Sequence, residues 1–437
     1  MNPIRDVIYG HDAPRNAPPP VKAPLVSLRG RSRGQETSFG LDETQLSKHI
    51  LCLGGTGSGK TNTINSIVAQ IRVGMGQRDV MLVFDTKGDF QRTFYDAARG
   101  DLVLGSSAHY RDITQKWNIY RDILIDGWDD ENVTLNINEL TRALFEPHKS
   151  EQQPFFTNAA RGIFGAYLLA MTRGAAEKED MRALLHNRAL TAFFQQATGD
   201  DYLRLTSAYP DLAALNLYIG DAANLQALGV LAEIQVMVRD TFFGVFGAEG
   251  NFSIREFIRG KGGRALFLEY DLSIGDTLAP LYSLLVDLAL KETLGRAAGE
   301  GRVFIILDEL KLLPHLSHLD DAVNFGRSLG MRVLAGLQSI SQLYDIYKED
   351  KARAIASGFC ALFAFRPNDS VTRQYVQEQL GKNIVSETIL ANREPVVERR
   401  DGFAAEDWDL YALRTGEAFV ALDAWPPFVF QFEKYEG

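Results

Sequence analysis

His49-Ile50-Leu51-Cys52-Leu53-Gly54-Gly55-Thr56-Gly57-Ser58-Gly59-Lys60-Thr61, continuing into Asn62-Thr63-Ile64-Asn65-Ser66-Ile67-Val68, is the stretch that decides the fold. Apolar residues of strand character run into a glycine-rich turn, and the turn opens a segment whose apolar residues recur at helical spacing. Gly54 to Thr61 fit G-x-x-x-x-G-K-S/T, with the strand and helix that this pattern needs on either side. Glycines let main-chain N–H groups curl around a phosphate, Lys60 meets the charge of the β- and γ-phosphates, and the Thr61 hydroxyl suits Mg2+. Gly54, Gly55, Thr56, Gly57, Ser58, Gly59, Lys60 and Thr61 are therefore the expected nucleotide-binding residues, with ATP as ligand and Mg2+ as its metal.

Working outward, Val80 to Asp85 is a short apolar run ending on an acid, as buried parallel strands often do, which makes a strand-helix-strand unit. Val303-Phe304-Ile305-Ile306-Leu307-Asp308-Glu309 ends on two acids. Asp308 then stands at the edge of a buried strand near the metal, and Glu309 is placed to polarise an attacking water. Asp85-Thr86-Lys87-Gly88-Asp89 reads either as a solvated charged turn or as a loop facing the same catalytic edge. Gln338 closes the run from Met331 to Leu337 and is expected beside the γ-phosphate, where a Gln can sense phosphate or orient water. Arg327 lies one helix beyond the strand that ends in Glu309; it is either a surface salt bridge or an arginine finger for a neighbouring subunit.

Strand-like runs resume as RALFLEYD, VFIILDE, MRVLAGLQS and CALFAFRP, whereas residues between about 145 and 250 have the texture of long amphipathic helices. The expected fold is α/β, with a mostly parallel central sheet interrupted by an all-alpha domain. The division expected is an N-terminal arm over 1–40, a first nucleotide-binding part over 41–145, the helical domain over 146–250 and a second nucleotide-binding part over 251–437. The arm carries Pro3, Pro14, Pro18, Pro19, Pro20 and Pro24, and its six bases (Arg5, Arg15, Lys22, Arg29, Arg31, Arg33) outnumber three acids (Asp6, Asp12, Glu36). That composition suits an extended basic arm or an edge strand that docks as a strap.

The whole chain, by contrast, is acidic, with a formal net charge of -10, so its outer surface as a whole does not grip nucleic acid; a basic lining confined to a channel remains compatible. Two cysteines, Cys52 and Cys360, have no metal-ligand spacing and read as reduced core residues of a cytoplasmic protein. The longest apolar candidate for a membrane segment, Leu278 to Leu290, is interrupted by Asp287, so no transmembrane segment is expected in this chain.

Together these residues resemble the coupling proteins of conjugative type IV secretion, the TraD/TraG-like branch of the FtsK/HerA superfamily of ring ATPases. The resemblance runs from about 45 to 435 and is most specific in DTKGDF at 85–90, FSIREFI at 252–258 and the long stretch from Leu307 to Tyr347. It implies a RecA-like P-loop NTPase domain interrupted by the all-alpha domain, and a DNA-dependent ATP hydrolase that assembles as a hexamer and feeds DNA, with attached protein, toward a secretion channel. By position, Lys60 and Thr61 match the Walker A pair, Asp308 and Glu309 match Walker B, Gln338 matches the Gln motif, and Arg327 falls where the family has its arginine finger. Glu309, Lys60, Arg327 and Gln338 are the catalytic candidates, with Thr61 and Asp308 the metal candidates. The implied partners are DNA, single- or double-stranded and without sequence preference, further copies of the chain, and secretion-channel, relaxosome or effector proteins. Family members usually begin with transmembrane helices. A chain without them is either recruited by partners to the inner-membrane periphery or anchored through a segment outside it. Two other readings compete: a HerA-like motor for DNA processing or phage defence, and a nucleotide-gated scaffold that recruits protein substrates.

Overall fold

The computed structural model describes residues 4–13, 16–19, 21–148, 153–219, 225–391, 394–423 and 425–437. Its strands are β1 (Ile4–Tyr9), β2 (Val26–Ser32), β3 (Gln35–Leu41), β4 (Ile50–Leu53), β5 (Val80–Asp85), β6 (Leu102–Gly105), β7 (Ala265–Glu269), β8 (Val303–Leu307), β9 (Met331–Leu337), β10 (Ala361–Phe365), β11 (Lys382–Ala391), β12 (Glu394–Phe403), β13 (Glu417–Leu422) and β14 (Trp425–Phe432). The chain divides into two compact units, one formed by Met1–Met81, Arg296–Lys311 and Leu319–Gly437, the other by Leu82–Gly295 and Leu312–His318.

In the first unit, β8, β9, β4 and β10 lie side by side and parallel. Every residue of β4, β8 and β10 is buried, which is why these strands read as unbroken apolar runs: both faces are covered. Beyond β10 the order continues as β13, β14, β2 and β3, all antiparallel, and here burial alternates along β2 and β14 because only one face meets the core. Phe39 fills that face, with its ring 4.9 Å from Phe430 and 5.2 Å from Phe428. Strands β1, β11 and β12 form a separate three-stranded antiparallel sheet.

Register sets the functional edge. Leu53 of β4 stands opposite Leu337 of β9, and Leu307 of β8 opposite Ala335. The residues that follow, Gly54, Gln338 and Asp308, therefore leave the sheet together at the carboxyl ends of three parallel strands, where ligands bind in open α/β sheets.

Within the stretch expected as an extended arm, residues 1–3, 14–15 and 20 lie outside the described residues. The rest is more regular than its composition suggests. β1 pairs with β11, and β2 and β3 form a hairpin that continues the first unit's sheet past β14. Val26, Leu28, Phe39 and Leu41 are buried while Arg29 and Arg31 are exposed, so the bases are the solvent face of strand β2.

The second unit holds Leu82–Asp85 of β5, with β7 and β6 following in that order and β6 parallel to β7. The rest of it is dominated by helices, among them Asp130–Phe145, Pro154–Glu177, Leu225–Thr241 and Gly275–Leu294. Aromatic packing fills the helical core, with Tyr167 4.4 Å from Phe193 and Phe164 5.2 Å from Phe194. A buried ion-pair network ties the helices Asp130–Phe145 and Gly275–Leu294 together through Arg255. Arg255 donates to Glu292 at 2.9 Å, to Asn136 at 2.9 Å and to Asp126 at 3.0 Å, with both Arg255 and Glu292 side chains only 6% exposed. All of these residues belong to the second unit, Leu82–Gly295 with Leu312–His318. Among the described residues no helix is long and apolar enough to cross a membrane.

Candidate nucleotide site

Leu53 delivers the chain into the glycine loop, and Lys60 is the first residue of the helix Lys60–Gly74. Gly59, the residue before that helix, has φ +112, and a Cβ there would come within 2.8 Å of the main chain of Gly416. Only glycine serves at this position, on both backbone and packing grounds. The loop is held from outside by main-chain bonds: Gly54 N donates to Leu337 O (3.1 Å), Gly55 N to Arg366 O (2.9 Å) and Gly416 N to Ser58 O (2.7 Å). The Lys60 ammonium lies inside it, donating to Gly54 O at 2.5 Å and Gly55 O at 3.2 Å. The main-chain N–H groups of a helix N-terminus beside a buried cation make a cradle for phosphate.

The acids arrive from β8. Thr61 Oγ1 donates to the two carboxylate oxygens of Asp308 at 3.2 and 3.4 Å. A hydroxyl and a carboxylate side by side at the loop's helix are hard oxygen donors that suit Mg2+ beside a triphosphate, so the residues present fit that ion. Glu309 Oε2 accepts from Gln338 Nε2 at 2.8 Å, and Gln338 Oε1 accepts from Thr56 Oγ1 at 3.0 Å. Glu309 Oε1 is buried with no hydrogen-bond partner among the described residues. The structure thus brings Thr56, Lys60, Thr61, Asp308, Glu309 and Gln338 together on one edge. Cys52 lies beneath them, fully buried, and burial pushes its thiol pKa up, which makes it an inert core residue.

Arg327 is not part of this cluster. It belongs to the 3-10 turn Gly326–Leu329, which precedes β9, whereas Gln338 follows β9, so the two are separated by the strand's length of roughly 20 Å. Its side chain is exposed and forms no ion pair among the described residues. Asp85 belongs to the second unit, where its carboxylate accepts from Lys87 N (3.3 Å) and Gln91 N (2.8 Å), closing the turn into the helix Asp89–Phe94. Near it burial pushes the carboxyl of Glu269 up to about 7, helped by the charges of Asp271 and Asp85. Glu139, Asp287 and His318 of the same unit bring ligand atoms within 4.8 Å of one another. The ammonium of Lys291 already sits on Glu139, and His318 bonds Asp287 through its main-chain N and Nδ1, so the group's atoms have protein partners.

Asn368 and Gly416 are contributors that motif reading does not find. The Asn368 side chain lies against Gly55, where a Cβ would come within 2.3 Å of Nδ2. Asn368 follows β10, the strand parallel to β4, and that adjacency is the signal that finds it.

A family model for the type IV secretion-system coupling protein DNA-binding domain matches residues 38–406. The chain belongs to that family. It is 25% identical over 346 residues to the coupling protein TraD of Escherichia coli K12, covering 76% of this chain and 43% of that protein, so it spans less than half the length of this relative. The fold is shared with the plasmid coupling protein TrwB in complex with ADP and Mg2+, at a TM-score of 0.72 and 22% identity over 97% of both chains. It is equally close to the TrwBdeltaN70 form in complex with sulphate, at a TM-score of 0.73 and 22% identity over 96% of both. The α/β fold with a mostly parallel sheet and added helices, expected from periodicity, is thereby that of a coupling protein.

Proposed function

We propose that this coupling-protein domain is an ATP-hydrolysing DNA motor, built as a ring of identical subunits and moving DNA, with attached protein, toward a secretion channel. The observation that carries this reading is the convergence of Lys60, Thr61, Asp308, Glu309 and Gln338 on a glycine loop that has main-chain N–H groups to offer. The cradle Gly54–Thr61 binds the phosphates of ATP, and Lys60 trades its loop carbonyls for phosphate oxygens. Thr61 and Asp308 would hold Mg2+, which when bound would supply charge neutralisation for phosphoryl transfer. Glu309 accepts the proton of the attacking water on Oε1, the oxygen without a hydrogen-bond partner among the described residues.

Arg327 completes the site of a neighbouring copy. Its exposure, and a separation from Gln338 too large for one side chain to span, support action in trans. Grip on DNA is through the phosphate backbone and therefore independent of sequence, which agrees with an acidic outer surface and a lining confined to the channel. Partners of the secretion channel or relaxosome place the ring at the inner-membrane periphery.

The test is ATP hydrolysis by the purified protein, alone and with single- or double-stranded DNA, alongside its mass in a nonhydrolysable nucleotide. Stimulation by DNA with a hexamer-sized mass supports the motor. Absence of turnover under all conditions moves the assignment to a nucleotide-gated scaffold.

A further inference from the structure

We propose that Thr56 is a positioning residue for hydrolysis: its hydroxyl anchors the Gln338 side chain, whose NH2 group occupies one oxygen of Glu309 and leaves the other to take the water's proton. The inference rests on the hydrolytic reading above and goes beyond it, since the glycine loop by itself asks of Thr56 only its main chain.

An ionised Glu309 only accepts hydrogen bonds, so the group of Gln338 that faces it must be the amide NH2. At 2.8 Å from Nε2 to Oε2 this is a well-formed bond. With Nε2 committed, Oε1 of Gln338 points the other way and needs a donor. The Thr56 hydroxyl supplies it at 3.0 Å. If the amide flipped, an acceptor would face Glu309 and the pair would repel, so the carboxylate of Glu309 sets the amide orientation, and the Thr56 hydroxyl holds the Gln338 side chain in place from the opposite end. One oxygen of Glu309 is then occupied, and the other, Oε1, is buried and has no hydrogen-bond partner among the described residues. Thr56, in the glycine loop after β4, Gln338 after β9 and Glu309 after β8 thus form a chain of two bonds across three strand ends. A phosphate sitting on the loop is in this way linked to the state of the base.

The bond chain passes through a hydroxyl, which separates its chemistry from its shape. Thr56→Val keeps the volume and removes the donor; Thr56→Ser keeps the donor. The expected result is a drop in kcat of about three- to ten-fold in Thr56→Val, the range of one modest hydrogen bond, with KM for ATP unchanged and Thr56→Ser close to the unsubstituted protein. In a double-mutant cycle, Thr56→Val added to Gln338→Ala changes kcat no further, because the residue it acts through is gone. Additive losses in that cycle, or equal losses in the Ser and Val variants, overturn the inference while leaving hydrolysis by Glu309 intact. Absence of turnover in the unsubstituted protein sinks both the hydrolytic reading and this inference, and that outcome is visible before any variant is made.

Discussion

Replacing Glu309 by Gln isolates the proton acceptor from everything else the site needs. The side chains have nearly the same shape, and the carbonyl oxygen of a Gln at 309 can still accept from Gln338 Nε2, as Oε2 does at 2.8 Å. Only the charge of that bond is lost, a change of about 1 kcal/mol that leaves the loop and the Thr61–Asp308 pair in place. The NH2 group would stand where Oε1 now lies and cannot take a proton. Removal of a positioned general base costs about 10²- to 10⁴-fold, or about 3–5 kcal/mol in the barrier, far more than the change in binding. ATP hydrolysis by a coupled assay and binding of a fluorescent ATP analogue, measured on the same preparation, should therefore separate: turnover lost, affinity within about threefold. Turnover within about threefold of the unsubstituted protein would refute the assignment of the base, and parallel loss of binding would show that Glu309 builds the site instead of acting in it.

If Arg327 acts in trans, Arg327→Ala loses turnover while binding nucleotide normally, and mixing it with Glu309→Gln subunits restores activity at interfaces that join an intact Glu to an intact Arg; a mixture as inactive as its parents contradicts this. Arg255→Ala removes the buried donor to Asn136 Oδ1 and one of the two arginines on Glu292, leaving Glu292 to Arg259, so it should cost about 2–3 kcal/mol and lower the thermal midpoint by about 5 °C; an unchanged midpoint would show that the network is dispensable. Glu269 has its carboxyl raised from 4.5 to about 7, so the folded protein holds that proton more tightly than the unfolded chain, and stability falls as pH rises from about 4.5 through about 7. Glu269→Gln is then neutral at pH 4 and stabilising by up to about 3 kcal/mol at pH 8, read from denaturant midpoints at both values; equal effects at the two would contradict it.

What was legible in the sequence follows from the geometry of parallel strands. A buried run that ends in a polar residue places that residue at the sheet's carboxyl edge, which is why Asp308, Glu309 and Gln338 could be grouped with the glycine loop from spacing alone. Asn368 obeys the same rule but follows β10, whose run is less conspicuous, and Gly416 reaches the loop from a turn before β13 that no local pattern announces. The rotamer of Gln338 depends on two partners 282 and 29 residues away in the chain, so it is a property of packing. The hairpin within the basic arm was half visible: Arg29 and Arg31 alternate with Leu28 and Gly30, a strand's period of two, yet prolines upstream dominate the composition. The Arg255 network was hidden because it joins Glu292 and Asn136, 37 and 119 residues away, on helices that look alike in hydrophobic period.

Displacement of streptavidin from the ends of biotinylated DNA tests the central claim most directly, since it reports movement and works on single or double strands. A motor predicts displacement from at least one strand form in ATP, none with a nonhydrolysable analogue and none by Glu309→Gln. DNA-stimulated hydrolysis without displacement from either strand form would contradict it and leave an ATPase that does not translocate.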